Sequence, residues 1–317
     1  MESTDYPMLR RAIAAASIAV TAIALTAGTA SAAQGRTTVA KPATAPGTSW
    51  ARTATGAIVP VTPTHAVTPL HPQAITHPNL DFMGSTIAAH DKAAAKPAAG
   101  AIEPAAAVPQ LPGIDVSAYQ GDINWAAVAP NIDFAYAKAA EGTYYTNPDF
   151  DNQYEGPYDY GVIRGSYEFA NPADASGTAD ADYFVAHGGG WSGDGKTLPG
   201  ALDIEYDPYG SECYGLTQSQ MVTWVRAFVT EYAAKEHVYP VIYSTTDWWT
   251  SCTGNSSAFA SLDPLWIANY TASGGGPLPS GWGFYTFWQY ADSGSQPGDQ
   301  DVFNGAYTQL QTLATKG

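Results

Sequence analysis

The chain has 317 residues, of which 45% are hydrophobic and only 13% are charged, a composition that can bury a sizeable core and excludes general disorder. From Leu111 onward, 24 acidic and 6 basic side chains give a net charge of about −18, whereas the first 110 residues carry about +2. Phosphate binding needs clustered Lys and Arg, so a nucleic-acid partner is not expected. The acidic charge is most simply explained by solubility outside the cell.

The first 32 residues have the layout of a cleaved secretory signal. Two arginines precede an apolar stretch over residues 12–27, and small residues end the segment at Ala32. The apolar stretch is shorter than the ~20 residues that a membrane span needs. We therefore predict cleavage after Ala32 or Ala33, a secreted protein, and no stable membrane association after cleavage.

Residues 33–110 are crowded with Ala, Pro and Thr and show neither helical nor strand periodicity. Such a composition buries too little apolar surface to offset chain entropy, so we predict a disordered linker or propeptide. One stretch, HPNLDFMGSTIAAHD, is less monotonous and is a candidate for docking, but the sequence assigns it no function.

Cys213 and Cys252 are the only cysteines. In an exported protein, two cysteines favour one disulfide over a metal site. Chain entropy gives roughly 4 kcal/mol for closing a loop of about 40 residues, so the pair is expected to serve stability.

Residues 111–317 contain short apolar runs that each end in polar or aromatic residues. The eight runs are GIDVSAY, DFAYAKAAEG, VIRGSYEFA, GALDIEYD, YPVIYST, LWIANY, FYTFWQY and DQDVFNG. Continuous apolar runs are typical of strands covered on both faces, as in a parallel sheet or barrel. Between the fourth and fifth runs, Thr217 and Gln220 form a capping box ahead of apolar residues at helical spacing.

Eight strands with helix-sized gaps predict an α/β fold, an irregular (β/α) barrel. The domain is shorter than the ~250 residues typical of such barrels, so we expect a reduced number of helices. Active sites of these barrels lie at the carboxyl ends of the strands. Acids stand at those ends here: Asp115, Glu141, Asp203 with Glu205, and the pair Asp299 and Asp301.

Asp203 and Glu205 lie two apart in LPGALDIEYDP, so they share a strand face with Cβ atoms roughly 6–7 Å apart. In a pocket partly closed to water each disfavours ionisation of the other, and the more desolvated one keeps its proton near neutral pH. A protonated acid beside a carboxylate is what glycoside cleavage requires. A surface pair or calcium ligands are the alternatives on spacing alone.

Aromatic residues are frequent at the same strand ends, and sugar rings stack on aromatic side chains, so such a groove suits a polysaccharide. Packing in the core is nevertheless the commoner role of a single aromatic residue. The candidates for substrate binding are Tyr167, Tyr243, Trp266, Tyr270 and Trp288.

Other chemistries are poorly supported. The run HGGGW at residues 187–191 is similar to the oxyanion loop of lipases, but the chain has no G-x-S-x-G. It also lacks H-E-x-x-H and a phosphate-binding glycine loop. We therefore expect no metal and no organic cofactor.

The chain resembles glycoside hydrolase family 25, the lysozymes that cut peptidoglycan after N-acetylmuramic acid. The matching pieces span Leu111 to Gly305 in the family's order: GIDVSAYQGDINW, FAYAKAAEGTYYTNPDF, GSYEFA, LPGALDIE, YPVIYS, PLWIANY, FWQYADSG and PGDQDVFNG. The resemblance implies an irregular eight-stranded barrel with few helices.

The resemblance also implies roles for the acids. Glu205 matches the proton donor, and Asp203 matches the partner that steers or stabilises the substrate's 2-acetamido group. Asp115 and Glu141 match the acids of the first and second strands. The family pattern D-x-N-x-F-N-G falls on residues 299–305, which favours Asp299 and places Asp301 where asparagine is usual.

One departure from the family pattern bears on the chemistry. Glu168 stands where histidine is common in G-A-Y-H-F. If its side chain faces the cleft, its charge raises neighbouring pKa values, and Glu168→His moves the pH–rate profile.

The sequence thus predicts a monomeric, secreted N-acetylmuramidase whose partner is bacterial peptidoglycan. Two alternatives remain open. A glycosidase for another N-acetylated polymer such as chitin would use the same acids, and a lectin would bind cell walls without cutting them.

Overall fold

The computed structural model describes residues 76–90, 109–270 and 274–317, together with two short strands near the amino terminus. Those strands, β1 (Ser49–Arg52) and β2 (Ile58–Val61), pair antiparallel with each other. The signal sequence predicted for residues 1–32 lies outside the described residues. Within the predicted linker, residues 78–80 form a 3₁₀ turn and α1 spans Ile87–His90, so part of that stretch has regular structure.

The eight apolar runs each form one strand of a closed barrel, which confirms the predicted fold. In chain order the barrel strands are β3 (Gln110–Val116), β4 (Phe134–Glu141), β6 (Ile163–Phe169), β7 (Ala201–Asp203), β8 (Val241–Ser244), β9 (Leu265–Ala268), β10 (Phe287–Ala291) and β11 (Asp299–Asn304). Each pairs with the next, and β11 pairs with β3 to close the ring. A short strand, β5 (Tyr145–Thr146), pairs with the end of β4.

The last strand runs against the others. The other seven barrel strands, β3, β4 and β6 to β10, pair in parallel, whereas β11 is antiparallel to both β10 and β3. Only residues 292–298 join β10 to β11, and a parallel connection needs a crossover of a dozen residues or more. Asp299 therefore stands at the amino end of its strand, not at the carboxyl end as predicted, and the reversal places it beside Asp115 of β3.

The helices that connect the strands are few and unequal in length, as predicted. Besides α1, the described residues contain α2 (Trp125–Val128), α3 (Phe150–Asp159), α4 (Gly177–Ala186), α5 (Gln218–Glu236), α6 (Thr246–Thr253) and α7 (Tyr307–Lys316). In the longest, α5, Thr217 and Gln220 form the predicted capping box. Among the described residues, no helix is long and apolar enough to cross a membrane.

Aromatic rings fill the barrel interior. Phe134, Tyr136, Trp266 and Phe287 are fully buried and contact one another with ring centroids 4.8–5.7 Å apart. A Cβ at Gly165 would lie 2.3 Å from the Tyr136 ring, so glycine makes room for a large side chain there. This packed floor supports the polar residues at one end of the barrel.

The predicted disulfide is confirmed. Cys213, in the loop after β7, is bonded to Cys252 of α6, with Cα atoms 5.3 Å apart. The bridge ties the segment that follows the Asp203 and Glu205 strand to the helix after β8.

Candidate active site

Asp203 and Glu205 lie at the carboxyl end of β7 and are both fully buried. The backbone around them is held on both sides, because Ala170 N–H donates to Asp203 O and Ile204 N–H donates to Tyr243 O. Burial, then the charge of Glu205, raises the pKa of Asp203 well above its ordinary range. The structure thus brings the two predicted acids into one water-excluded site.

Glu205 already has hydrogen-bond donors on both of its carboxyl oxygens. Gly84 N–H donates to Oε1 at 2.6 Å, and the Thr86 hydroxyl donates to Oε2. Burial raises the pKa of Glu205 to about 7, and the two donors oppose that rise. Asp203 receives no hydrogen bond from the described residues. A negative charge on Asp203 is therefore less well stabilised by hydrogen bonds than one on Glu205.

Gln289 of β10 joins two further predicted acids. Its Nε2 lies 2.7 Å from Asp115 Oδ2 and 3.0 Å from Asp299 Oδ2. Its Oε1 accepts hydrogen bonds from the hydroxyls of Tyr243 at 2.5 Å and Tyr270 at 2.8 Å. One buried amide thereby fixes two carboxyl groups and two tyrosines at the barrel mouth.

Asp301 lies on the same face of β11, where Trp266 Nε1 donates to its Oδ1 at 3.0 Å. Burial raises its pKa well above the ordinary range, and the neighbouring Asp115 adds to the rise. Burial also raises the pKa of Asp115 to about 7, against hydrogen bonds from Gln289 and Asp301. The pKa of Asp299 is raised by burial and by the charges of Asp115 and Asp301.

Glu141 occupies a separate corner at the end of β4. Lys138 Nζ lies 2.6 Å from its Oε2, and the Tyr144 hydroxyl donates to its Oε1 at 2.5 Å. Burial raises the pKa of Glu141 to about 7, and the Lys138 charge opposes this. Lys138 is itself fully buried, so removing either partner would leave the other as an unpaired charge in the protein interior, which is strongly destabilising.

The predicted aromatic residues divide between two locations. The hydroxyls of Tyr243 and Tyr270 donate to Gln289 within the acid cluster. Burial raises the pKa of Tyr167, which lies close enough to Asp115 and Asp203 for their charges to raise it further. The indole N–H of Trp266 donates to Asp301. Trp288 lies on the opposite face of β10 from Gln289, where its indole N–H donates to Asn269 O at 2.7 Å. The structure does not bring Trp288 to the acids.

The sequence model described as Glycosyl hydrolases family 25 matches residues 114–299, more than half of the chain. That match begins within β3, covers β4 to β10, and ends at Asp299, the first residue of β11. It includes all of the acids above except Asp301. The chain belongs to glycosyl hydrolase family 25.

Individual relatives of this family 25 enzyme agree in sequence and fold. An N,O-diacetylmuramidase of Chalaropsis sp is 47% identical over 208 residues, which cover 64% of this chain and 98% of the relative. Lysozyme M1 of Streptomyces globisporus is also 47% identical, over 64% of this chain and 70% of its own length. The solved muramidase of Acremonium alcalophilum is 54% identical, with a TM-score of 0.64 over 65% of this chain and all of its own.

Glu168, the family departure, does not face the cleft. It follows Tyr167 along β6, so the two side chains point to opposite faces, and Tyr167 faces the acids. Glu168 is fully buried against Asp180 of α4, and that neighbour, after burial, raises its pKa well above the ordinary range. Its effect is therefore exerted mainly between the sheet and α4.

Sequence reasoning missed two residues of the family 25 site, Lys138 and Gln289. Both stand inside apolar runs, AYAKAAE and FWQY, where a polar side chain on a strand covered on both faces needs a buried partner. That mismatch is the signal that identifies such residues. It does not identify their partners, which come from other strands.

Proposed function

We propose that this family 25 enzyme is a secreted N-acetylmuramidase, hydrolysing the β-1,4 bond between N-acetylmuramic acid and N-acetylglucosamine in bacterial peptidoglycan. The observation that carries the proposal is the pair of buried carboxyl groups, Asp203 and Glu205, at the carboxyl end of β7. The relatives named muramidase and lysozyme support the same substrate. Secretion is supported by the signal-like residues 1–32 and by the disulfide.

In this proposal Glu205 is the general acid. Its carboxyl proton passes to the glycosidic oxygen as the bond to the anomeric carbon breaks, and the leaving sugar departs as an alcohol. The carbonyl oxygen of the substrate's own 2-acetamido group attacks the anomeric carbon. The Glu205 carboxylate then takes a proton from the water that opens this intermediate.

Asp203 acts on the 2-acetamido group. As a carboxylate it accepts a hydrogen bond from the amide N–H and stabilises the positive charge that develops on the acetamido group. Asp115 and Asp299, held by Gln289, complete the acidic wall around the reacting sugar. Glu141 and the tyrosines at positions 167, 243 and 270 are assigned to substrate binding.

The test compares wild type with Glu205→Gln on purified bacterial walls and identifies each new reducing end. Because Gly84 and Thr86 contact Glu205, each protein is assayed both as the full chain and after residues 77–90 have been cut away. Glu205→Gln should lower turnover by about 10²- to 10⁴-fold, the usual contribution of general acid catalysis. Glu212→Gln, the same change seven residues along the chain, is the matched control and should retain activity.

The chemical identity of the reducing ends separates the alternatives. Muramic acid at the new ends agrees with the proposal. Glucosamine would instead indicate an enzyme for another N-acetylated polymer, and wall binding without any reducing ends would indicate a lectin. Equal digestion by wild type and Glu205→Gln would remove the assignment of the acid.

A further inference from the structure

Residues 77–90, here called the docked segment, lie across the end of the barrel that carries the acids. Met83 N–H donates to the Tyr167 hydroxyl at 3.1 Å, and Met83 O accepts from Gln289 Nε2 at 3.1 Å. The next residues, Gly84 and Thr86, place one donor on each oxygen of Glu205. The docked segment thus uses the same polar groups that the proposed reaction needs.

Apolar contacts anchor the docked segment. Met83 and Ile87 are fully buried and belong to the main hydrophobic core. His90 stacks on Tyr206, with ring centroids 4.2 Å apart. Burying one side chain of this size stabilises the folded state by roughly 1.5–3 kcal/mol. Two of them therefore hold the segment to the barrel more firmly than a surface contact would.

Polar contacts anchor its other end. The buried ammonium group of Lys138 donates to the backbone carbonyls of Pro78 and Asp81, in addition to Glu141. The Tyr209 hydroxyl donates to the Asp81 carboxyl group. Lys138, the ion-pair partner of Glu141, therefore also holds the docked segment against the barrel.

Gly84 fits the cleft because it has no side chain. Its φ is +90°, and an added Cβ would lie 2.3 Å from the Tyr270 hydroxyl oxygen and 2.7 Å from Gln289 Oε1. Both the backbone conformation and the space exclude any other residue. The backbone of the docked segment is therefore shaped to the barrel mouth at the point where it meets Glu205.

We propose that the docked segment is an intramolecular inhibitor, so that the full-length chain is a zymogen. This inference rests on the proposed function, because the segment occupies the groups assigned to the sugar. Activation requires hydrolysis of a peptide bond between residues 90 and 109 by a separate protease. Before the cut, the tether keeps the segment at an effective concentration near millimolar; after the cut, dilution releases it.

The main experiment places a site-specific protease sequence in place of residues 93–100 of the full chain. Reducing ends released from purified walls are measured before and after cutting, at nanomolar protein. Cutting should raise the rate by roughly tenfold or more. A tenfold rise corresponds to a segment that is docked in about nine-tenths of the uncut molecules and leaves one-tenth able to bind substrate. A synthetic peptide of residues 77–90, added in excess, should lower the rate again.

The matched control carries the same protease sequence in place of residues 66–73. Cutting there leaves the docked segment attached to the barrel, so the rate should stay at the uncut level. Equal rates for the two cut proteins and the uncut chain would overturn the inhibitor and leave the proposed function standing. Inactivity of every form, even after release, would overturn the proposed function and the inhibitory role with it.

A second pair of variants tests the same point without a protease. Gly84→Ala should expel the segment and activate the uncut chain, whereas Gly161→Ala, with a φ of +80° and nothing within 4 Å of its added Cβ, should not. Amide hydrogen exchange at Met83 and Gly84 reports docking directly. Exchange at the rate of an unfolded chain in the uncut wild type would refute the inference irrespective of activity.

Discussion

Replacing Glu168 by glutamine tests the carboxyl pair that β6 and α4 bury between them. Glu168 and Asp180 are both fully buried. Burial and the neighbouring Asp180 raise the pKa of Glu168 far above its ordinary value, and burial raises that of Asp180 to about 8. The folded chain therefore holds two protons here near neutral pH, whereas unfolded carboxyl groups, with pKa values of about 4, have released them.

The sign of the effect follows from this proton count. Raised carboxyl pKa values in the folded state give stability that is fully present below about pH 4 and is lost as the pH rises towards 8. Each bound proton makes the free energy of unfolding fall by about 1.4 kcal/mol per pH unit. Glu168→Gln removes one proton and keeps a hydrogen-bond donor for Asp180. Between pH 5.5 and 7.5 the variant should gain about 3 kcal/mol relative to wild type.

Urea unfolding of the full chain at pH 5.5, 6.5 and 7.5, with the disulfide intact, measures this difference from the midpoint and the slope. Glu155→Gln, which removes a largely exposed carboxyl group paired with Arg164, controls for the loss of one acid. Parallel stability curves for wild type and Glu168→Gln would show that the pair holds no extra proton and would refute the reasoning.

Two further changes probe the bridge and the last strand. Replacing Cys213 and Cys252 together by alanine should lower the free energy of unfolding by roughly 4 kcal/mol, as measured by urea unfolding, since it frees a 39-residue loop in the unfolded chain; a loss below about 1 kcal/mol would contradict this. Asp301→Asn should retain wall digestion, because an amide oxygen can still accept from Trp266, whereas Asp299→Asn should lose roughly tenfold or more in the same assay. Equal losses would assign both acids to the reaction.

The parts of the fold that could be predicted from sequence are those with a local signal. Each barrel strand is an uninterrupted apolar run, because both of its faces are covered, and α5 begins at a capping box that can be seen in four residues. The disulfide followed from there being only two cysteines. These features depend on residues that are neighbours in the chain or unique in it.

The parts that could not be predicted depend on contacts between distant residues. The antiparallel direction of β11 is set by the length of its connection, and its effect on Asp299 appears only when β3 is placed beside it. The inward or outward direction of Trp288 and Glu168 depends on strand register. Met83 contacts Tyr167 across 84 residues of sequence, and no local pattern records such a contact.

The docked segment also donates its hydrogen bonds to Glu205, the acid of β7 that the proposed reaction needs in its protonated form. The proposed mechanism requires a proton on Glu205 and a charge on Asp203. With the segment docked, Glu205 receives both donors, from Gly84 and Thr86, while Asp203 receives none from the described residues and burial raises its pKa.

Donors stabilise the charged form of a carboxyl group, so the segment favours a charge on Glu205 and leaves the proton on Asp203. A sugar in the same place would reverse this order, because its amide N–H reaches Asp203 and its glycosidic oxygen accepts from Glu205. Occupation by the segment thus excludes the substrate and also places the proton on the wrong acid. Release of the segment should therefore change the protonation of the pair as well as access to it.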